Sequence, residues 1–268
     1  MDSFDARSFT SRRRAFNGVL FTAGAASVSV LGACMAYPRA SPTALPQSAS
    51  TQAWEDRALE PRLQVGQAWE FRTINLFNSE LGESVTHRIE QLDGPGPLRL
   101  NHIREKSQQQ EQFARRWQVT EEIHQDALLR FEQPMTVIPA RLTPGHQEQQ
   151  QGRYWVIADG KIQDPYSRLF WNVYTQVMGW ERLQVPAGSF DVARIQRRIY
   201  FIHPDVFRTE STRSETLWYA PALGYWVARE RTGRYLIKGG RRRGGLMLED
   251  ATRWELTARF GAPTSNAT

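Results

Sequence analysis

Histidine is the residue type best suited to metal or acid-base chemistry near neutral pH, and the five in this 268-residue chain stand far apart: His87, His102, His124, His146 and His203. No His-x-His or His-Glu-x-x-His pair occurs, so a metal site would have to be assembled from distant segments. Gly188-Ser189-Phe190 lacks the second glycine of a nucleophile elbow, and no phosphate-cradling Gly-x-x-x-x-Gly-Lys-Ser/Thr loop is present. Asp191, Glu210, Glu215, Glu230 and Glu255 lie among arginines on expected strands. That spacing reads as cross-strand ion pairing on a solvated face, because nothing fixes the separation that paired carboxylates need for glycoside chemistry. The expectation is no catalytic residue, no metal and no cofactor.

The single cysteine, Cys34, excludes an internal disulfide and a thiolate metal cluster. It ends an uncharged run from Asn17 that follows Arg12-Arg13-Arg14-Ala15-Phe16, and this layout of basic start, short apolar stretch and small residues is that of an export signal. The run falls short of the roughly 20 apolar residues that span a bilayer. Arg13, Arg14 and Phe16 resemble a twin-arginine motif, and Leu31-Gly32-Ala33-Cys34 is similar to a bacterial lipobox. The latter resemblance implies acylation of Cys34, which removes it as a nucleophile and tethers the mature chain through several acyl chains. Met35 follows the cysteine where inner-membrane retention favours Asp, which implies the periplasmic face of the outer membrane. Residues 1–33 are thus expected to be the signal, 34–60 a lipidated Pro/Ser/Ala tether, 61–262 the folded domain and 263–268 a disordered tail.

Charge and aromatic content mark two candidate binding features. Of the formal +6, residues 1–33 carry +2 (Arg7, Arg12, Arg13 and Arg14 against Asp2 and Asp5). Residues 229–243 carry +6 (Arg229, Arg231, Arg234, Lys238, Arg241, Arg242 and Arg243 against Glu230), leaving the rest near −2. Lys238, Arg241, Arg242 and Arg243 therefore form a basic hairpin tip able to meet an anionic surface, while export sets nucleic acid aside as a partner. Trp69, Phe71, Trp180, Phe190, Trp218 and Trp226 are expected either to fill the core or to line a concave apolar face that takes an acyl chain.

Positioning such residues falls to strands. Gly66–Arg72, 84–92, 113–121, 127–133, 177–185, 190–203, 209–219 and 225–237 alternate or are rich in β-formers, and Leu246 to Phe260 keeps a period of two over fifteen residues. One helix is expected after Asp164-Pro165, where Tyr166, Leu169, Phe170, Val173, Tyr174 and Val177 recur at three and four; Lys106 to Gln112 reads as another helix turn or a loop. The fold class is mostly β, an antiparallel meander forming an open or half-closed barrel with at most one or two short helices.

Val185-Pro186-Ala187-Gly188-Ser189-Phe190 followed by Trp218-Tyr219-Ala220-Pro221-Ala222-Leu223-Gly224 resembles a pair of turn motifs in uncharacterised periplasmic lipoproteins of proteobacteria. The resemblance covers about 66–237 and implies a half-barrel similar to lipoprotein-localisation carriers, without implying an activity. The expected function is an outer-membrane-anchored, non-enzymatic lipoprotein that binds an apolar or amphipathic envelope ligand or an envelope protein. A scaffold subunit of an envelope assembly, and a hydrolase of envelope polymers, are the alternatives.

Overall fold

The structure, a computed structural model, describes residues 63–261 apart from 95, 116, 125–126, 206, 238–244 and 250. The expected signal, Cys34, the tether and the C-terminal tail lie outside the described residues, as do Lys238, Arg241, Arg242 and Arg243.

Fourteen strands and no helix are present among the described residues. They are β1 (Ala68–Asn75), β2 (Val85–Leu92), β3 (Leu98–Ile103), β4 (Gln108–Arg115), β5 (Gln118–His124), β6 (Ala127–Thr136), β7 (Gln147–Ala158) and β8 (Lys161–Ile162). The second half adds β9 (Leu169–Val185), β10 (Gly188–Phe201), β11 (Arg208–Ala220), β12 (Tyr225–Ile237), β13 (Leu246–Leu248) and β14 (Thr252–Phe260). All pairings are antiparallel, and β12 joins β11 on one side and β14 on the other, so twelve strands close into a barrel with β8 and β13 appended. The expected open or half-closed barrel is therefore corrected. Closure leaves no long unpaired edge in the ring, the usual solution for a wide antiparallel sheet.

The expected helix is also corrected. Trp171, Val173, Thr175 and Val177 alternate inward along β9, and these aromatic and β-branched side chains suit a pleated surface better than a helix. The Lys106 to Gln112 segment leads into β4. Both quoted turn motifs are hairpin corners: Pro186-Ala187 links β9 to β10 with Gly188 at φ +127°, and Pro221 to Gly224 links β11 to β12 with Gly224 at φ +65°.

The expected fifteen-residue final strand is interrupted. Leu246–Leu248 pairs with Arg234–Leu236 and Thr252 to Glu255 pairs with Ala228–Arg231, both on the same edge of β12. Between them Glu249 is buried, its N–H donating to the Gly233 carbonyl at 2.9 Å. A Cβ at Gly233 would overlap the Glu249 carboxylate, so this turn needs a glycine across from it. The break reverses the alternation: Leu246 and Leu248 are exposed whereas Leu256 is buried.

Eight strands make a lumen that ordinary side chains fill, and twelve make a wider one. This barrel meets the extra volume with long and aromatic residues. Trp69 stacks on Tyr225 with centroids 4.2 Å apart, Phe71 packs on Trp226 at 4.1 Å, and Trp171 packs on Phe201 at 5.0 Å. Aliphatic side chains such as Val173, Ile199 and Leu217 fill further space, and a cluster of charged residues is buried among them.

Candidate functional site

Along β11 the odd-numbered residues Ser211, Arg213, Glu215, Leu217 and Tyr219 are buried, and the ladder sets Ser211, Arg213 and Glu215 opposite Phe201, Ile199 and Arg197 of β10. Across β12, Glu215 faces Arg231 and Leu217 faces Arg229. Glu215 thereby accepts from three guanidinium groups: Arg197 Nη1 at 2.8 Å, Arg229 Nη2 at 2.9 Å and Arg231 Nε at 3.0 Å. Burial alone would raise its pKa, but Arg229, Arg231 and Arg197 hold it well below the usual carboxylate range. Glu122, whose Oε1 lies 3.7 Å from both Arg229 and Arg231, is pushed the other way by burial and by the charge of Glu215. The reading of Glu215 as part of a solvated ion-pair face is corrected: it sits in the lumen because its strand parity matches Leu217 and Tyr219.

One end of this cluster has the composition of a metal site. His124, His203 and Glu249 are all buried and offer donor atoms within 4.8 Å of one another. A cation of the protein already stands among them, however. Arg213 Nη2 lies 3.2 Å from His124 Nε2 and 3.6 Å from Glu249 Oε2, so a guanidinium occupies the cation position. His203 Nδ1 accepts the Asp205 N–H at 2.9 Å, which leaves the proton of the neutral ring on Nε2. Burial, then Arg213, hold His124 well below its ordinary pKa; burial, then Arg208, hold His203 down at about 4. Both rings are neutral at pH 7, yet the surrounding arginines disfavour a divalent ion.

A second cluster lies between β2, β3, β4 and β12. His87 Nδ1 is 2.8 Å from the Tyr225 hydroxyl, the His87 and His102 rings are 3.9 Å apart, and His102 Nε2 lies 3.0 Å from Glu111 Oε2 without hydrogen-bond alignment. Burial and then His102 keep His87 well below its ordinary pKa. The adjoining cavity, bounded by His102, Glu111, Glu122, Tyr225 and Arg229, measures about 20 Å³. That volume admits one water-sized molecule.

A larger opening lies on the wall beside β13. Phe170, Tyr200, Ile202, Leu236 and Leu246 line a cleft of about 420 Å³, with Glu210 and Arg234 as its charged lining residues and Phe201 and Ser211 among the rest of its wall. Ile202 is 48% exposed and Leu246 59%, a large apolar commitment to solvent for neighbouring residues. The wall is opened locally by a register shift between Thr209 and Thr212, with Glu210 at φ +42°.

The six aromatics singled out from sequence are dispersed. Trp69, Phe71 and Trp226 are buried together around Tyr225. Trp218 is buried on the opposite parity, donating to Glu181 at 2.5 Å and covered by Arg253, whose guanidinium carbon is 5.1 Å from the ring. Trp180 donates to the Leu142 carbonyl at 3.2 Å, and Phe190 is half-buried against the core. None of the six lines the 420 Å³ cleft. Around Trp218, Glu255 bridges Arg72 (2.6 Å) and Arg253 (2.7 Å), and Arg253 reaches Glu230 (2.6 Å). Cross-strand ion pairing thus does hold for Glu230 and Glu255.

No family model matches the chain, and no curated protein matches it. Solved structures similar to it include the following three. One, from Bacteroides fragilis NCTC 9343, is described as an exported protein with a YmcC-like fold: 13% identity, TM-score 0.46, covering 74% of this chain and 97% of that one. A structure described as a lipoprotein of Parabacteroides distasonis ATCC 8503 gives 12% and 0.46, with 75% and 98% covered. The hypothetical lipoprotein YmcC of Escherichia coli K12 gives 10% and 0.38, with 82% and 100% covered. At TM-scores below 0.5 none of the three bears on what this barrel does.

Proposed function

We propose that the chain is a non-enzymatic lipoprotein, held by acylated Cys34 at the periplasmic face of the outer membrane, whose barrel binds an amphipathic envelope ligand in the outer cleft. The observation that carries this reading is the 420 Å³ cleft itself. Its size falls in the range of roughly 300–1,000 Å³ typical of small-molecule sites, and its lining of apolar residues with a few polar ones is the usual composition of such sites. Leu236 pairs with Leu246, so the chain on both sides of 238–244 borders the cleft. The four cations of that segment, with Arg234, favour a ligand with an anionic headgroup. The His102–Glu111 pair gives a hydrolase reading no substrate site, because it adjoins a cavity with room for one water and no polymer.

Native mass spectrometry of the protein purified from cells in mild detergent tests the reading. A copurifying acyl lipid that is lost in Ile202→Arg and Leu246→Arg is the expected result. Repeated absence of lipid from the unaltered protein overturns it.

A further inference from the structure

We infer that the barrel lumen binds one small oxyanion, a carboxylate or a phosphate, between the guanidinium groups of Arg197 and Arg213. The site lies on the inner side of the wall, with Ser211 shared between it and the outer cleft, and does not rest on the reading of that cleft. Arg197 and Arg213 are 2% and 1% exposed, and the ladder between β10 and β11 makes them diagonal neighbours on the inner face.

Each guanidinium spends part of its hydrogen bonding on the protein and keeps the rest. Arg197 uses Nη1 on Glu215 and leaves Nε and Nη2 without a partner. Nε and Nη2 form the side-on fork that matches two oxygens of a planar carboxylate or of a phosphate. Arg213 uses Nη2 on His124 and leaves Nε and Nη1. Three further polar groups on nearby positions are buried without a partner: Ser211 Oγ, Trp171 Nε1 and His124 Nδ1. The last is a donor, because His124 Nε2 accepts from Arg213.

Donors in such number cannot stay dry, since a buried guanidinium N–H without an acceptor forfeits its hydration. The carboxylate oxygens left over in the same lumen are two among the described residues, Glu122 Oε2 and Glu249 Oε1, beside the Ser211 hydroxyl, which can accept as well as donate. Charge points the same way. Glu122 is pushed toward its neutral acid by burial and by Glu215, which reduces its share of the negative charge facing Arg197, Arg213, Arg229 and Arg231. The same arrangement explains why the histidine-glutamate set nearby suits no cation.

The test is a titration of the full detergent-solubilised protein with acetate, and separately with inorganic phosphate, replacing chloride at constant ionic strength. The side-chain Nε–H signals of Arg197 and Arg213 are followed by ¹⁵N NMR. Saturable shifts of both signals with either anion are expected, and the anion that saturates names the class. Arg197→Lys, which keeps the charge and loses the fork, is expected to weaken the midpoint about tenfold or more. Linear, non-saturating shifts with both anions in the unaltered protein mean that the lumen holds only water, and overturn the inference without touching the cleft.

Discussion

Glu215 and Arg197 form an ion pair at 2.8 Å across adjacent strands with side chains 0% and 1% exposed, inside the barrel and not on its surface. Arg229 and Arg231 converge on the same carboxylate. Removing its charge leaves three buried guanidinium groups short of an acceptor. Glu215→Gln is expected to cost about 3–5 kcal/mol in urea unfolding. Glu122→Gln, at a carboxyl already pushed toward its neutral form, is expected to cost less than about 1 kcal/mol. Equal losses at the two positions would contradict the assignment.

Acid should loosen the barrel in two stages. His87, His124 and His203 are held below 6.5 in the fold, so between pH 6.5 and 4.5 the unfolded chain binds more protons and stability falls as pH falls. Each such proton contributes a slope of about 1.4 kcal/mol per pH unit. The raised pKa of Glu122 opposes this by one proton at most, because the fold then binds the extra proton above 4.5. Below 4.5 the depressed Glu215, Glu111 and Glu255 add to the loss. Chemical denaturation at pH 7, 5.5 and 4.5 measures it; a flat profile from 7 to 4.5 would show that the histidines are solvated.

Gly233 tests the interruption between β13 and β14. Gly233→Ala drives a Cβ into the Glu249 carboxylate and should cost about 1–3 kcal/mol. In a Glu249→Gly background, which removes both the carboxylate and the Cβ that lies 2.9 Å from the added methyl, the same change should cost clearly less. Additive costs would mean that Glu249 does not lie over Gly233.

Cys34→Ser, with the signal otherwise intact, should release the exported protein from the membrane fraction, because the acyl chains proposed on Cys34 are its anchor in this account. Equal membrane retention of the variant would remove the lipid anchor from the account.

Much of the fold was legible because period two survives wherever a strand has one apolar face, as in β10 and β11, and because Pro186 to Gly188 and Pro221 to Gly224 carry turn chemistry. Strand β7 was not: His146-Gln147-Glu148-Gln149-Gln150-Gln151 has no apolar face, and its pairing is imposed by the neighbours β6 and β9. Barrel closure was hidden too, since nothing local at β12 announces two partners. The charged lumen was half visible. Arg213 and Glu215 share parity with the apolar Leu217 and Tyr219, a signal that charge faces inward once a wide barrel is assumed. The cleft had no local signature, for it joins residues from β10, β11, β12 and β13 with Phe170 of β9.

The central claim is that the outer cleft holds the apolar part of an amphipathic ligand. Photo-cross-linking of the purified protein with a diazirine-bearing lysophospholipid, followed by peptide mapping, tests it most directly. The account predicts saturable label confined to peptides carrying Phe170, Tyr200 to Ile202 and Leu236 or Leu246. Label absent from those peptides, or spread evenly over the outer wall, would contradict it.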